Sequence, residues 1–127
     1  MQNAAARLIT GTRRRDHITP VLRELHWLPV RQRIKYRLAV HVFKALHGMS
    51  PDYIADECTL IKHPGDRKLR SYDVLTCAVR RSHTRLGDRA FACAGPKLWN
   101  SLPIHLRDSD LQLNTFRRSL KTFLFSA

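Results

Sequence analysis

Residues 28–48 read "LPVRQRIKYRLAVHVFKALHG". Their apolar positions recur at helical spacing between a proline suited to a helix start, Pro29, and a glycine suited to a helix end, Gly48. Ile34, Leu38, Ala39, Val42, Phe43, Ala45 and Leu46 cover most of the girth of such a helix. That pattern predicts a central helix buried on a wide face. At about 100° per residue, Arg33, Arg37, His41 and Lys44 share one narrow stripe. No Asp or Glu occurs from Leu25 to Pro51. A solvated helix face usually mixes signs, so an unmixed cationic stripe favours an edge that meets phosphate over one that meets only water.

The flanking segments read as further helices. "QNAAARLI" is helical, with Gly11 placed to end it. In "DHITPVLRELH" Thr19 is a candidate N-cap and Pro20 suits the first helical position. "MSPDYIADE" suggests a short helix with Ser50 as N-cap and its acids near the N-terminus, where the helix dipole favours them. "VLTCAV", Val74 to Val79, reads as a strand, and "RAFACA", Arg89 to Ala94, as a second. "GPKLWNSLP" reads as a turn and a short helix from Pro96, stopped by Pro103. The last helix is expected to be capped by Asn114, with Phe116, Leu120, Phe123 and Leu124 on one face and Arg117, Arg118 and Lys121 on the other. The fold class expected is therefore mainly α. It is a single small helical domain over residues 1–127, of four or five helices, with a minor β-element near residues 74–93.

The chain has 127 residues, 43% of them hydrophobic, which is enough for one modest core. Against 10 acids it carries 23 Lys and Arg, a net charge of +13. Self-repulsion of that size does nothing for folding and points to an anionic partner, nucleic acid first. Cys58, Cys77 and Cys93 are odd in number and irregularly spaced, which fits ordinary thiols in a reducing, intracellular setting, nucleus or cytoplasm. "TRRRDH", Thr12 to His17, reads as a solvated loop before it reads as a nuclear-localisation patch. No window approaches the ~20 apolar residues of a membrane span, so no membrane partner is expected.

Catalytic chemistry finds little footing. There is no Gly-rich phosphate loop and no nucleophile elbow. Seven histidines and three cysteines fall in no compact metal-ligand spacing. "DSD", Asp108 to Asp110, reads as a solvated turn. No catalytic residue, metal or cofactor is expected. Lys62, Arg67, Lys68 and Arg70 make the loop "KHPGDRKLRSYD" basic, and Tyr72 within it is the best candidate for stacking on a base. Trp27 and Trp99, each followed by Leu and Pro or by Asn, Ser, Leu and Pro at a turn, read as core anchors.

"QNAAARLITGTRRRDHITPVLRELHWLPVRQRIKYRLAVHVFKALHG", "GDRAFACAGPKLWNSLPIHLR" and "FRRSLKTFLF" occur in that order. Together they resemble the C-terminal region of LINE-class (non-LTR) retrotransposon reverse transcriptases, over essentially the whole chain. The resemblance implies a parent polyprotein with an endonuclease and a polymerase, and places this chain in the tail that follows the polymerase core. The polymerase's aromatic-x-Asp-Asp turn is absent, since no Asp-Asp pair occurs, and so is the zinc knuckle of some relatives. The function expected is a non-catalytic basic tail that grips template RNA or target DNA. Its binding residues would be Arg33, Arg37, His41 and Lys44, with Arg67, Lys68, Arg70 and Tyr72. The alternatives are an interaction module docking on the polymerase core, or a decayed retroelement fragment without function.

Overall fold

The computed structural model of the protein describes residues 1–61 and 74–126. Six α-helices account for most of them: α1 (Gln2–Thr10), α2 (Thr19–Glu24), α3 (Val30–Leu46), α4 (Asp52–Ala55), α5 (Phe91–Ser101) and α6 (Leu113–Ser126). Short 3-10 turns at Gly87–Arg89 and Ile104–Leu106 precede and follow α5. The mainly helical class is as expected, with more helices than the sequence suggested.

The helix ends show where local chemistry rules. Gly11 ends α1 in the left-handed conformation, φ 68°. Gly48 does the same after α3, φ 71°, and lets the Met49 N–H reach back to the Lys44 carbonyl at 2.8 Å. The starts differ from expectation. Ile18, Pro51 and Gln112 occupy the positions expected of Thr19, Ser50 and Asn114, and no side-chain oxygen caps α2 or α4. Each start lies one or two residues from the expected one, the range over which helix ends fray.

α3 is the central helix. It packs against α5 and α6, and against α4 at its C-terminal end. Phe43 stacks on Phe116 with ring centroids 4.4 Å apart, and Trp99 lies 5.6 Å from Phe116. Ala39, Val40, Val42, Phe43 and Ala45 are buried, so the wide buried face is real for the C-terminal half of α3. It does not extend to the N-terminal half. Ile34, expected in the core, is 62% exposed, and Val30 is exposed beside it. Leu38 and Leu46 are only partly buried. α1 and α2 do not cover that half; they form their own small cluster of Ala6, Val21 and Leu22, against which Trp27 leans.

The β-element is much reduced. Val74 and Cys77 form isolated antiparallel bridges, to Asp108 and Leu60 respectively. Of residues 89–94, expected as the second strand, Arg89 ends the 3-10 turn, Ala90 alone is extended, and 91–94 open α5. Two features explain the difference. Gly95 is small enough to bring α5 close to α3, so close that a Cβ there would sit 3.0 Å from Val42 Cγ2. The backbone of the 74–79 segment finds its partners elsewhere: Trp99 Nε1 donates to the Leu75 carbonyl at 3.0 Å, Asn100 pairs with Cys77, the Leu75 N–H donates to the Arg107 carbonyl at 3.0 Å, the Ala78 N–H donates to the Thr59 carbonyl at 2.7 Å, and the Thr76 carbonyl accepts from the Ile61 N–H at 2.9 Å. With those groups satisfied, no second strand is needed.

Candidate nucleic-acid interface

α3 presents its cations on more than one stripe. Arg33, Arg37 and His41 are exposed as the sequence predicts, while Lys44 is partly buried. Arg31 and Lys35 are also exposed, and the helical angle places them on the far flank of Val30 and Ile34. The predicted stripe of four is divided. Arg33 and Arg37 border one cleft, and His41 borders a separate hollow with Tyr53, Glu57 and Phe91. Lys44 borders neither.

The first cleft has a volume of about 570 Å³ and lies between the N-terminal half of α3, the α2–α3 turn and α6. Arg33, Arg37 and Lys121 supply charge, and Trp27 and Tyr36 supply partly exposed aromatic surface. Among the described residues no Asp or Glu lines it. Gln2 closes one end, its amide Nε2 donating to the Leu28 carbonyl at 2.7 Å. Lys121 lies with Nζ 5.8 Å from the Phe125 ring centroid, a cation–π distance that holds the ammonium at the mouth. His26 meets the same ring edge-on, with centroids 6.4 Å apart.

His26 has φ 55°, the one positive φ outside glycine among the described residues. It is the residue after the C-cap of α2, and two bonds hold it: the His26 N–H to the Arg23 carbonyl at 3.0 Å and the Trp27 N–H to the Leu22 carbonyl at 2.8 Å. This is a Schellman closure, with Trp27 packing back toward Leu22. Glycine is the usual occupant of such a site, so a side chain there is strained by roughly 1 kcal/mol or more. The strained turn sits on the cleft wall.

The cations are largely unpaired. Among the described residues the one side-chain ion pair is Arg80 to Glu57 at 3.5 Å, at the surface. Arg13, Arg14 and Arg15 stand exposed on a turn closed by the Asp16 N–H to the Arg13 carbonyl at 3.1 Å. Arg7 bonds backbone carbonyls of the same turn, at Arg13 and Asp16. A smaller basic hollow of about 420 Å³ gathers Arg80, Arg81, His83 and Lys97, with Asp88 among them. Among the described residues its lining holds no Phe, Tyr or Trp and includes an acid, so the α3–α6 cleft is the better anion site.

Other expectations take their places. Trp99 is fully buried, a core anchor as expected, whereas Trp27 is only partly buried. Cys93 is only partly buried, whereas Cys58 and Cys77 are buried. Asp108 Oδ1 accepts from the Asp110 N–H at 3.0 Å, a local turn. Among the described residues no three of His, Cys, Asp or Glu gather around a common point, and no helix is long and apolar enough to cross a membrane. Arg67, Lys68, Arg70 and Tyr72 lie outside the described residues.

Sequence reasoning missed Lys121, Trp27 and Tyr36 as site residues. Lys121 was legible only as a polar-face residue of α6, and its convergence with Arg33 is set by how α6 packs on α3. Compared with known protein families, with curated proteins and with solved structures, the chain gives no match.

Proposed function

We propose that this chain is a non-catalytic nucleic-acid-binding module, the basic tail of a LINE-class reverse transcriptase, which grips template RNA or target DNA through its phosphates. One observation carries the reading: Arg33, Arg37 and Lys121 converge on an open cleft whose lining, among the described residues, holds no acid. Cations gathered without counter-charges repel each other, and an external polyanion relieves that repulsion. Arg matches phosphate oxygens in a bidentate way and Lys adds a point charge. Nothing in the reading requires base-specific contacts, so binding is weakly sequence-specific.

The test is salt dependence. Neutralising about 4 to 6 phosphates gives a log–log slope of roughly 0.7 to 0.9 per phosphate. RNA and DNA binding measured by fluorescence anisotropy at several salt concentrations should show that steep fall. An affinity indifferent to ionic strength would overturn the reading.

A second reading, docking on the polymerase core, is favoured by exposed apolar residues: Val30 and Ile34 on α3, and Leu8 and Ile9 on α1. On that reading the isolated chain binds nucleic acid weakly, and Ile34→Ser impairs only the joined polyprotein. A chain that melts without a cooperative transition is the signature of a decayed fragment.

A further inference from the structure

We infer that the α3–α6 cleft holds one unpaired nucleotide of a single strand, its base against Trp27 and Tyr36 and its phosphate against Arg33, Arg37 and Lys121. The inference rests on the nucleic-acid reading above and goes further: it assigns the strand form and the residues that sense it.

Three features lead there. The first is size. A cleft of about 570 Å³ lies within the ~300–1,000 Å³ of ordinary small-ligand sites, a volume that suits one nucleotide and is too small to enclose a duplex. The second is composition. Phosphate alone needs only cations, and those stand in plenty elsewhere on the surface. Here they share a concave wall with two partly exposed aromatic rings. A base pair inside a helix offers no free face, whereas an unpaired base can lie flat on an aromatic ring. The third is rigidity. Trp27 follows directly on the strained His26, the backbone of both is bonded to α2, and the Trp27 side chain packs against the Ala6, Val21 and Leu22 cluster. A ring held in place before the ligand arrives loses little freedom on binding, and strain retained at a site is consistent with use there.

The remaining basic hollow shows the contrast. Arg80, Arg81, His83 and Lys97 could attract any phosphate, but Asp88 stands among them and, among the described residues, no Phe, Tyr or Trp lines the space. It fits backbone contact and offers nothing to a base.

The test uses the full chain with four probes of equal length: single-stranded oligo-U, single-stranded oligo-dT, a duplex, and an abasic strand carrying sugar and phosphate only. The chain has two tryptophans, and Trp99 is fully buried, so contact quenching reports Trp27. Both single strands should quench its emission, and the duplex and abasic strand should bind without quenching. Trp27→Leu and Tyr36→Leu keep apolar bulk for packing and remove the flat ring. Each should weaken single-strand binding by about 5- to 100-fold, as loss of one stacked base does, and leave duplex affinity and salt slope unchanged. Circular dichroism confirms that each variant folds, and Tyr36→Leu serves if Trp27→Leu does not.

The failures separate. If no probe binds at low salt, the nucleic-acid reading itself is wrong. If single strands, duplex and abasic strand bind alike with no change in Trp27 emission, the cationic surface stands and the nucleotide cleft falls. Quenching of Trp27 by an oligo-glutamate peptide in preference to either single strand would also overturn it, and would mark the cleft as a protein-docking site.

Discussion

The side-chain amide of Asn100 satisfies both backbone groups of Cys77: Oδ1 accepts from its N–H at 2.9 Å and Nδ2 donates to its carbonyl at 2.8 Å. A helical side chain thereby does the work of a neighbouring strand. Asn100→Ala leaves two backbone groups at a buried residue without partners, at about 1–3 kcal/mol for an unsatisfied group. Denaturant titration should show a lower midpoint, while Asn100→Gln, with the same amide on a longer stem, recovers part of it. An unchanged midpoint for Asn100→Ala would show that water replaces the amide.

Gly95 of α5 lies against Val42 of α3. A side chain there meets Val42, and Gly95→Val should destabilise the fold by about 1–3 kcal/mol through overpacking. Combining it with Val42→Ala should return part of the loss, since the two side chains compete for one space. Additive losses in the double variant would place the strain elsewhere.

His26 occupies a left-handed position without glycine's freedom. His26→Gly removes the strain and should raise stability by up to about 1 kcal/mol, less the extra chain entropy glycine brings to the unfolded state. Thermal melts measure the gain. A loss of stability would mean that the edge contact with Phe125 outweighs the strain.

The buried thiols set an alkaline limit. Burial foremost, then the charge of nearby Cys58, push the Cys77 thiol up to about 12 against a lowering pull from Arg107. Burial and the neighbouring Glu57 push Cys58 up too. In the unfolded chain the thiol titrates near its ordinary 9.0, so the native state holds its proton more tightly. The stability this contributes is whole below about pH 9 and is lost as pH rises through about 12. Denaturant midpoints taken from about pH 8 to about pH 11 should fall, and fall less for Cys77→Ala. Cys93, the partly exposed thiol, should alkylate before the other two.

Removing the converging charges tests the interface without disturbing the core. Gln keeps good helix propensity, so Arg33→Gln, Arg37→Gln and Lys121→Gln together should leave the circular dichroism spectrum unchanged. Affinity should drop and the salt slope shrink by roughly 2 to 3 units if each residue holds one phosphate. Lys44→Gln, away from the cleft and partly buried, should alter the slope little. Equal effects at Lys44 and at the cleft would favour a diffuse cationic surface.

The sequence by itself determined what short-range chemistry controls. Helical spacing and glycine stops placed α1, α3 and the apolar face of α6, because a 3.6-residue repeat and a left-handed glycine are properties of a single segment. Charge count and the acid-free run from Leu25 to Pro51 pointed to Arg33 and Arg37. Tertiary structure decided the rest. It turned residues 91–94 into helix, since β-propensity is weak beside the close contact of Gly95 with Val42. It left Ile34 in water, since an apolar residue is buried only where another element arrives to cover it. It also brought Lys121 to Arg33 across 88 residues of chain, a convergence that no local pattern encodes because it depends on the angle and register at which α6 meets α3.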